Sequence, residues 1–299
     1  MTTVACFSYL ASVRTLYVEA FPPINYGVDV ERTDTFLAGD GPIVAGFLRA
    51  LGHAAVLHGN QVGSDAEGLE VSARLASWEV PVAPGPGPAS RTRINTVVVD
   101  HAGNRTWFSG LRGIADDLNA VNLGQIAAAD VVYVDCYEVL GQAPLRVLEA
   151  ALRAGPDVIV NLGGSPVPDW LGSVIESRRP AVVQTNADEN SVADTMRTLD
   201  ELTASNLADL VIVTAGRAGA VCKSGNGAVT SIPAVPVRVR QVQGAGAAFS
   251  AALIHARLGG AEPAEALRFA CAAGSLWCSR THDGALPGAD EISAFAAAS

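Results

Sequence analysis

Residues 243–247 read Gln-Gly-Ala-Gly-Ala, a composition that could cradle an anion. The apolar run that follows predicts a helix to about Leu258, stopped by Gly259-Gly260. The first amides of a helix have no partner inside it and lie at the positive end of its dipole, so they can hold a phosphate. At Gly244 and Gly246 no Cβ stands between that phosphate and the backbone. A Val-rich stretch from Ala234 to Val242, edged by Pro233 and Pro236, predicts a strand leading into the turn. A bare Gly-Ala-Gly is also what an ordinary strand-to-helix turn contains, so its meaning depends on its surroundings.

Other candidates are scattered along the chain. Asp40 stands between Gly39 and Gly41, as a turn former or a ligand for a small polar molecule. Asn186 and Glu189 follow a run of buried character, where they could act on bound phosphates or merely cap the next helix. Gly63 and Asp65 read as a turn and a cap. Arg91, Asn95 and Trp107 lie on alternating segments, where they could close over a substrate or simply line a solvated strand face. His282-Asp283 invites an acid–base reading, with an ordinary turn as the alternative. The other four histidines are too dispersed for a metal site.

The elements that must position these residues follow two rhythms. From residue 118 onward, β-branched runs (131–135, 158–162, 181–185, 210–214) alternate with helical stretches (144–153, 168–176, 190–204). That pattern predicts a parallel sheet covered on both faces. Residues 219–231 read as a hairpin turned at Asn226-Gly227, and helices are predicted at 263–279 and 290–298. Nearer the start, 3–10 and Val56-Leu57 read as strands, and 41–51 and 69–79 as helices. Segments 14–38 and 91–109 alternate instead, and predict antiparallel strands with a polar face that form a lid. The whole chain, 1–299, then reads as one α/β domain with this lid inserted in it.

Composition narrows the partners. Apolar residues make up 49% of the 299, charged residues 17%, and the net charge is −10. No basic run offers a surface for nucleic acid or an anionic membrane. No stretch of 18 apolar residues suggests a membrane span, and the N-terminus lacks the layout of a signal peptide. The five cysteines form neither a CxxC pair nor a zinc spacing, which fits a reduced, cytoplasmic protein; Cys271 and Cys278 are spaced to share one helix face.

Taken in order, the motifs resemble those of the ribokinase-like (PfkB-type) sugar and nucleoside kinases. Gly39-Asp40-Gly41, with Leu51-Gly52 closing the helix, is similar to that family's Gly-Gly signature. Residues 61–68 (QVGSDAEG) resemble V-G-x-D-x-x-G, residues 186–189 (NADE) resemble N-x-x-E, and residues 214–219 (TAGRAG) resemble T-x-G-x-x-G. Residues 241–247 resemble D-T-x-G-A-G-D. The resemblance covers nearly the whole chain. It implies a three-layer α/β/α fold with a β-sheet lid, a homodimer through that lid, and ATP with Mg2+ as cofactors. The γ-phosphate would pass to a hydroxyl of a sugar, nucleoside or related small metabolite. It also implies roles: Gly244, Ala245 and Gly246 on the transferring phosphoryl group, and Asn186 and Glu189 on the magnesium-bound phosphates through water. Thr214, Gly216, Gly219, Cys271 and Gly284 would fall on the nucleotide side. Ser12, Asp40, Gly41, Ile43, Arg91, Asn95 and Trp107 would fall on the acceptor side.

The departures from that pattern matter as much. The family's general base falls on Ala247, and a methyl group accepts no proton. Loss of such a base costs about 10²- to 10⁴-fold in rate. Either the chain is a natural pseudokinase that binds without turnover, or Ala247 is an introduced Asp-to-Ala change, which would leave the rest of the motif undamaged as here. Gln241 in place of the first Asp speaks against a bound monovalent cation. Ser12 and Ile43 stand where the family has sugar-binding Asp and Asn, which argues against plain ribose or fructose and for a nucleoside or a modified, less polar acceptor. A dinucleotide-binding oxidoreductase is excluded, because Phe249 stands at the third glycine and no acidic residue follows about 20 positions on. No G-x4-G-K-[ST] phosphate loop occurs either.

Overall fold

The computed structural model describes residues 1–83, 91–102, 104–176, 178–225, 227–281 and 285–298. Six parallel strands form the body of the main sheet: β1 (Thr3–Phe7), β4 (Ala54–His58), β7 (Val131–Asp135), β8 (Asp157–Asn161), β9 (Val182–Asn186) and β10 (Leu210–Thr214). Antiparallel β11 (Ala220–Lys223) and β12 (Thr230–Ile232) extend one edge, giving the order β12-β11-β10-β9-β8-β7-β1-β4. The apolar runs at 131–135 and 210–214 become strands with the bounds their composition suggests.

Each strand feeds two cores because its side chains alternate between faces. Val131 and Tyr133 of β7 join one core, and Val132 and Val134 join the other. The first core is closed by α1 (Asp40–Ala50), α2 (Ala66–Ser77), α8 (Ala245–Leu258), α9 (Pro263–Cys278) and α10 (Ala289–Ala297). The second is closed by α3 (Ile114–Leu118), α4 (Leu123–Ala127), α5 (Ala143–Ala154), α6 (Leu171–Val174) and α7 (Val192–Ala204). The result is the expected three-layer α/β/α arrangement.

The lid is a separate four-stranded sheet in the order β3-β2-β5-β6, from β2 (Ala11–Tyr17), β3 (Arg32–Ala38), β5 (Ile94–Val99) and β6 (Arg105–Phe108). Its outer pairs are antiparallel as expected, but its central pair, β2 with β5, is parallel. Both strands leave the main domain from the same root, where Ser12 lies opposite Ile94, so they run the same way. Asp65 fastens that root. It caps α2 by accepting from the Gly68 amide at 2.9 Å, and it accepts from the Thr92 amide at 2.7 Å.

Three other expectations change. Residues 234–242 form no strand: Pro233 and Pro236 lack amide hydrogens, and the Arg240 and Gln241 amides donate instead to the Cys278 carbonyl at 2.8 and 3.3 Å. Helices α3 and α4 arise where no helix was read, and α6 covers only four residues of the expected 168–176. The hairpin exists as β11–β12, but Asn226 lies outside the described residues, as do the Pro/Gly stretch 84–90 and His282-Asp283-Gly284.

Candidate active site

Besides β4, which ends on buried His58, two adjacent strands of the main sheet end on a buried polar residue. Asp135 closes β7 and Asn161 closes β8, and both are buried; beside them lie Ser8, just past β1, and Asp40, the first residue of α1. Asp135 accepts from Ser8 Oγ at 2.5 Å, Tyr133 Oη at 2.8 Å, the Gly41 amide at 3.1 Å and Asn161 Nδ2 at 3.2 Å. Asp40 Oδ2 accepts from Tyr137 Oη at 2.6 Å and Asn161 Nδ2 at 3.1 Å. Asn161 therefore bridges two carboxylates, and its own carbonyl accepts from the Gly163 amide at 3.1 Å. The other oxygen of Asp40 has no hydrogen-bond partner among the described residues. The one buried side-chain polar atom without a partner among the described residues is His58 Nδ1, so Asp40 Oδ1 keeps some access to solvent.

The electrostatics follow from burial. Burial first, and then the charge of Asp40, push Asp135 up to about 7, although Ser8, Tyr133 and Gly41 all donate to it. Burial also raises Asp40, against the opposing bonds from Tyr137 and Asn161. The phenols of Tyr133 and Tyr137 are held well above their ordinary value, by burial and then by the two carboxylates, so both remain donors.

The helix mouth lies alongside. Gly244 precedes α8 with a left-handed φ of +81°, and a Cβ there would sit 3.0 Å from Trp277 Nε1 and 3.1 Å from Ile43 Cδ1. Trp277 Nε1 donates to the Gln243 carbonyl at 2.8 Å and so fixes the turn. Because Ile43 lies in the first turn of α1, the amino ends of α1 and α8 are neighbours. Of the three expected phosphate-facing amides, that of Ala245 is used by the Val242 carbonyl at 3.3 Å, while Gly246 is exposed. Ala247 is wholly buried in the core shared with Ile43, so its side chain does not face the open cleft.

At the ends of β9 and β10 the site is built differently. Asn186 and Thr214 are opposite one another in the sheet, and the Ala187 amide donates to the Thr214 carbonyl at 2.9 Å. Ser191, not Asn186 or Glu189, caps α7 through a bond from the Asp194 amide, so both residues are released from the capping role. Glu189 accepts from the Arg217 amide at 3.0 Å and pairs with its guanidinium at 3.1 Å. Gly216 (φ +47°) is required there, since its Cβ would strike the Glu189 carboxylate. Gly219 (φ +95°) has equally little room, because its Cβ would overlap the Ile232 carbonyl.

The structure thus gathers Asn186, Glu189, Thr214, Gly216 and Gly219 at one end of the edge, and Asp40, Gly41, Gly244 and Gly246 at the other. Several expected residues fall elsewhere. Cys271 is buried with its Sγ toward the Ile232 carbonyl, and burial pushes its thiol up to about 12; it packs α9 under β12. Ile43 is a packing contact for Gly244. Ser12 is buried at the lid root, and Asn95 accepts from the Gly110 amide at 3.1 Å. Arg91 lies beside Gly63, and Trp107 is 61% exposed on the lid's edge strand with Arg105 over its ring. Sequence reasoning missed Ser8, Tyr133, Asp135, Tyr137 and Asn161. The available signal was a polar residue ending an apolar strand, where open α/β sheets place their ligands.

A hollow of about 380 Å³ lies at the opposite, amino edge of β9 and β10, lined in part by Arg178 and Arg179. Those arginines pair with Asp157 and Asp209, so its charges are already answered. Among the described residues no group of three or more His, Cys, Asp or Glu side chains is placed to hold a metal, and no helix is long and apolar enough to cross a membrane.

Residues 1–288 match the family described as pfkB family carbohydrate kinase. Among curated proteins, the chain is 31% identical over 289 residues to the "Bifunctional protein HldE" of Bradyrhizobium sp. (strain ORS 278), covering 90% of this chain and 56% of that protein. It therefore spans about half the length of that relative. Among solved structures, it superposes on a Burkholderia thailandensis nucleoside kinase in complex with inosine with a TM-score of 0.78 at 19% identity, covering 99% of this chain and 97% of that one. It superposes on an Arabidopsis thaliana ribokinase complexed with ribose and ATP with a TM-score of 0.75 at 19% identity, covering 99% and 98%. The fold is ribokinase-like.

Proposed function

The chain belongs to the pfkB family of carbohydrate kinases, and from that premise we propose that it is an ATP-dependent phosphotransferase acting on a hydroxyl of a sugar, nucleoside or related small metabolite. The observation that carries this reading is the pairing of two helix mouths at the sheet's carboxyl edge. In the turn at Gly244–Gly246 the exposed Gly246 would offer its amide to a phosphoryl group, the Ala245 amide being held by the Val242 carbonyl, and Asp40 nearby would offer its unpartnered carboxylate oxygen to an acceptor. Phosphoryl transfer depends mainly on positioning and on stabilising charge, and backbone amides supply both.

In this reading the nucleotide lies along Asn186, Thr214, Gly216 and Gly219. Asn186 and Glu189 offer one amide and one carboxylate oxygen, a donor set that suits Mg2+, which keeps several waters and takes few protein ligands. Since Arg217 already holds Glu189, contact with the ion would run through water. When bound, the ion would neutralise charge on the β- and γ-phosphates. No acidic residue stands at Gln241, which leaves a monovalent cation without its carboxylate. Exposed apolar groups on the lid, among them Tyr26, Trp107 and Phe108, support a homodimer through that sheet.

The acceptor would rest against Asp40, Tyr137 and Gly41. Their polar atoms extend what Ser12 and Ile43 alone offer, and they favour a hydroxyl-rich acceptor such as a nucleoside's sugar. The buried Ala247 favours a second reading, a pseudokinase that holds nucleotide without turnover. The deciding experiment measures ADP release over a panel of sugars and nucleosides, with nucleotide binding followed in parallel by calorimetry. Acceptor-dependent ADP release supports the kinase. Nucleotide binding with no acceptor-dependent release supports the pseudokinase, and the absence of nucleotide binding overturns both.

A further inference from the structure

We propose that Asp40 takes the acceptor's proton in this chain, in place of the side chain that Ala247 cannot supply. The inference rests on the phosphotransferase reading. Position 247 carries a methyl group that is wholly buried, so it contributes neither a base nor an open surface. The amino end of α1 lies next to the amino end of α8, with Ile43 Cδ1 3.1 Å from the place a Gly244 Cβ would occupy. Asp40 is three residues before Ile43, about 4.5 Å along the helix axis and on the same face. Asp40 therefore starts the same helix whose first turn packs on Gly244, at the amino end that adjoins the Gly244–Gly246 turn.

The surroundings hold that carboxylate as a base. Tyr137 Oη and Asn161 Nδ2 both bond to Oδ2, which fixes the side chain and leaves Oδ1 without a partner among the described residues and within reach of solvent. Asn161 is itself held by Asp135, Tyr133 and the Gly163 amide. No Lys, Arg or His pairs with Asp40 among the described residues, so no cation lowers its basicity. Burial raises its proton affinity, as suits a carboxylate that must take up a proton near neutral pH.

The step balances as follows. The acceptor oxygen forms a bond to the γ-phosphorus while the bond between that phosphorus and the β–γ bridging oxygen breaks, and ADP leaves with the electron pair. The hydroxyl proton moves to Asp40 Oδ1, and the resulting carboxylic acid returns it to solvent.

The test compares the wild-type chain with Asp40→Asn and Asp40→Ala, with the best acceptor from the panel. Asp40→Asn keeps an oxygen for Tyr137 and Asn161, so the fold and the ADP affinity will stay within about twofold while kcat falls roughly 100-fold or more. Asp40→Ala will fall equally, and added formate, a carboxylate small enough to enter the vacated space, will restore part of kcat to it but none to Asp40→Asn. Thermal unfolding of each variant shows that the losses are not losses of fold. A rise in acceptor KM with unchanged kcat would make Asp40 an acceptor ligand only, and would overturn the proposal. So would full activity in Asp40→Asn, or an Asp40→Ala variant that is folded, inactive and indifferent to formate. If the wild-type chain binds nucleotide but no acceptor elicits ADP release, the kinase reading itself falls, and this inference with it.

Discussion

The two ends of the sheet's carboxyl edge, proposed as an acceptor end and a nucleotide end, are built on opposite plans. Under the acceptor end, at β1, β7 and β8, six side chains (Ser8, Asp40, Tyr133, Asp135, Tyr137 and Asn161) bond chiefly to one another, and most of their polar atoms are out of reach of solvent. At the nucleotide end, at β9 and β10, Asn186, Glu189 and Arg217 stand exposed, and the shape of the site comes from glycines with positive φ. A buried network has few alternatives once formed, because an unpaired member costs far more than in water. Exposed groups on a glycine-shaped turn can be changed with little effect on the fold. The acceptor end is thus preorganised, and the nucleotide end is adaptable.

Substitutions can break that contrast or sharpen it. The largest effect is expected from Asn161→Asp, which removes the shared donor and sets a third carboxylate beside Asp40 and Asp135. Stability in urea will fall by roughly 3 kcal/mol or more at pH 8, and by less at pH 5.5, where the cluster can hold protons. Gly219→Ala comes next, at about 2 kcal/mol, because the new Cβ meets the Ile232 carbonyl and φ is unfavourable for alanine. Here the proposed nucleotide end will behave as rigidly as the proposed acceptor end.

The pH dependence is a smaller effect with a defined sign. Asp135 lies at about 7 in the fold against an ordinary carboxylate value of 3.8, so the folded state holds a proton that the unfolded state has released. Its contribution to stability is complete below about pH 4 and is lost as the pH rises through 7. The melting temperature will therefore drop between pH 5.5 and pH 8, and the drop will shrink in Asp135→Asn. The smallest effect on the fold is expected from Glu189→Gln. That exposed pair with Arg217 is worth at most about 0.5 kcal/mol, while nucleotide affinity in magnesium will weaken about tenfold. A destabilisation there as large as that of Asn161→Asp would erase the contrast.

The same contrast explains what could be read from the amino-acid order. The parallel strands were legible because continuous β-branched runs such as LVIVT have one good solution between two helical layers. The nucleotide end was legible because its residues lie close together in the chain, within NADE and TAGRAG, and because glycine needs a backbone reason. The acceptor network was not, since Ser8, Asp40, Asp135 and Asn161 are far apart in the chain and meet only where three strands end. Residues 234–242 misled through their valines: β-propensity records how well a side chain fits a half-buried surface. Pro233 and Pro236 leave that segment without the donors a strand would need. Ile43 and Cys271 were placed by position in a motif; the structure shows both buried in the core.

Trp277 ties these regions together. Its indole nitrogen grips the Gln243 carbonyl just before the phosphoryl-facing turn, and its ring packs 6.2 Å from Phe36 on lid strand β3 and 5.1 Å from Phe47 on α1. A single chromophore thus touches the turn, the lid and the helix that carries Asp40. Its indole emission, separated from that of Trp78, Trp107 and Trp170 by difference against a Trp277→Phe variant, is expected to change when a ligand occupies the turn.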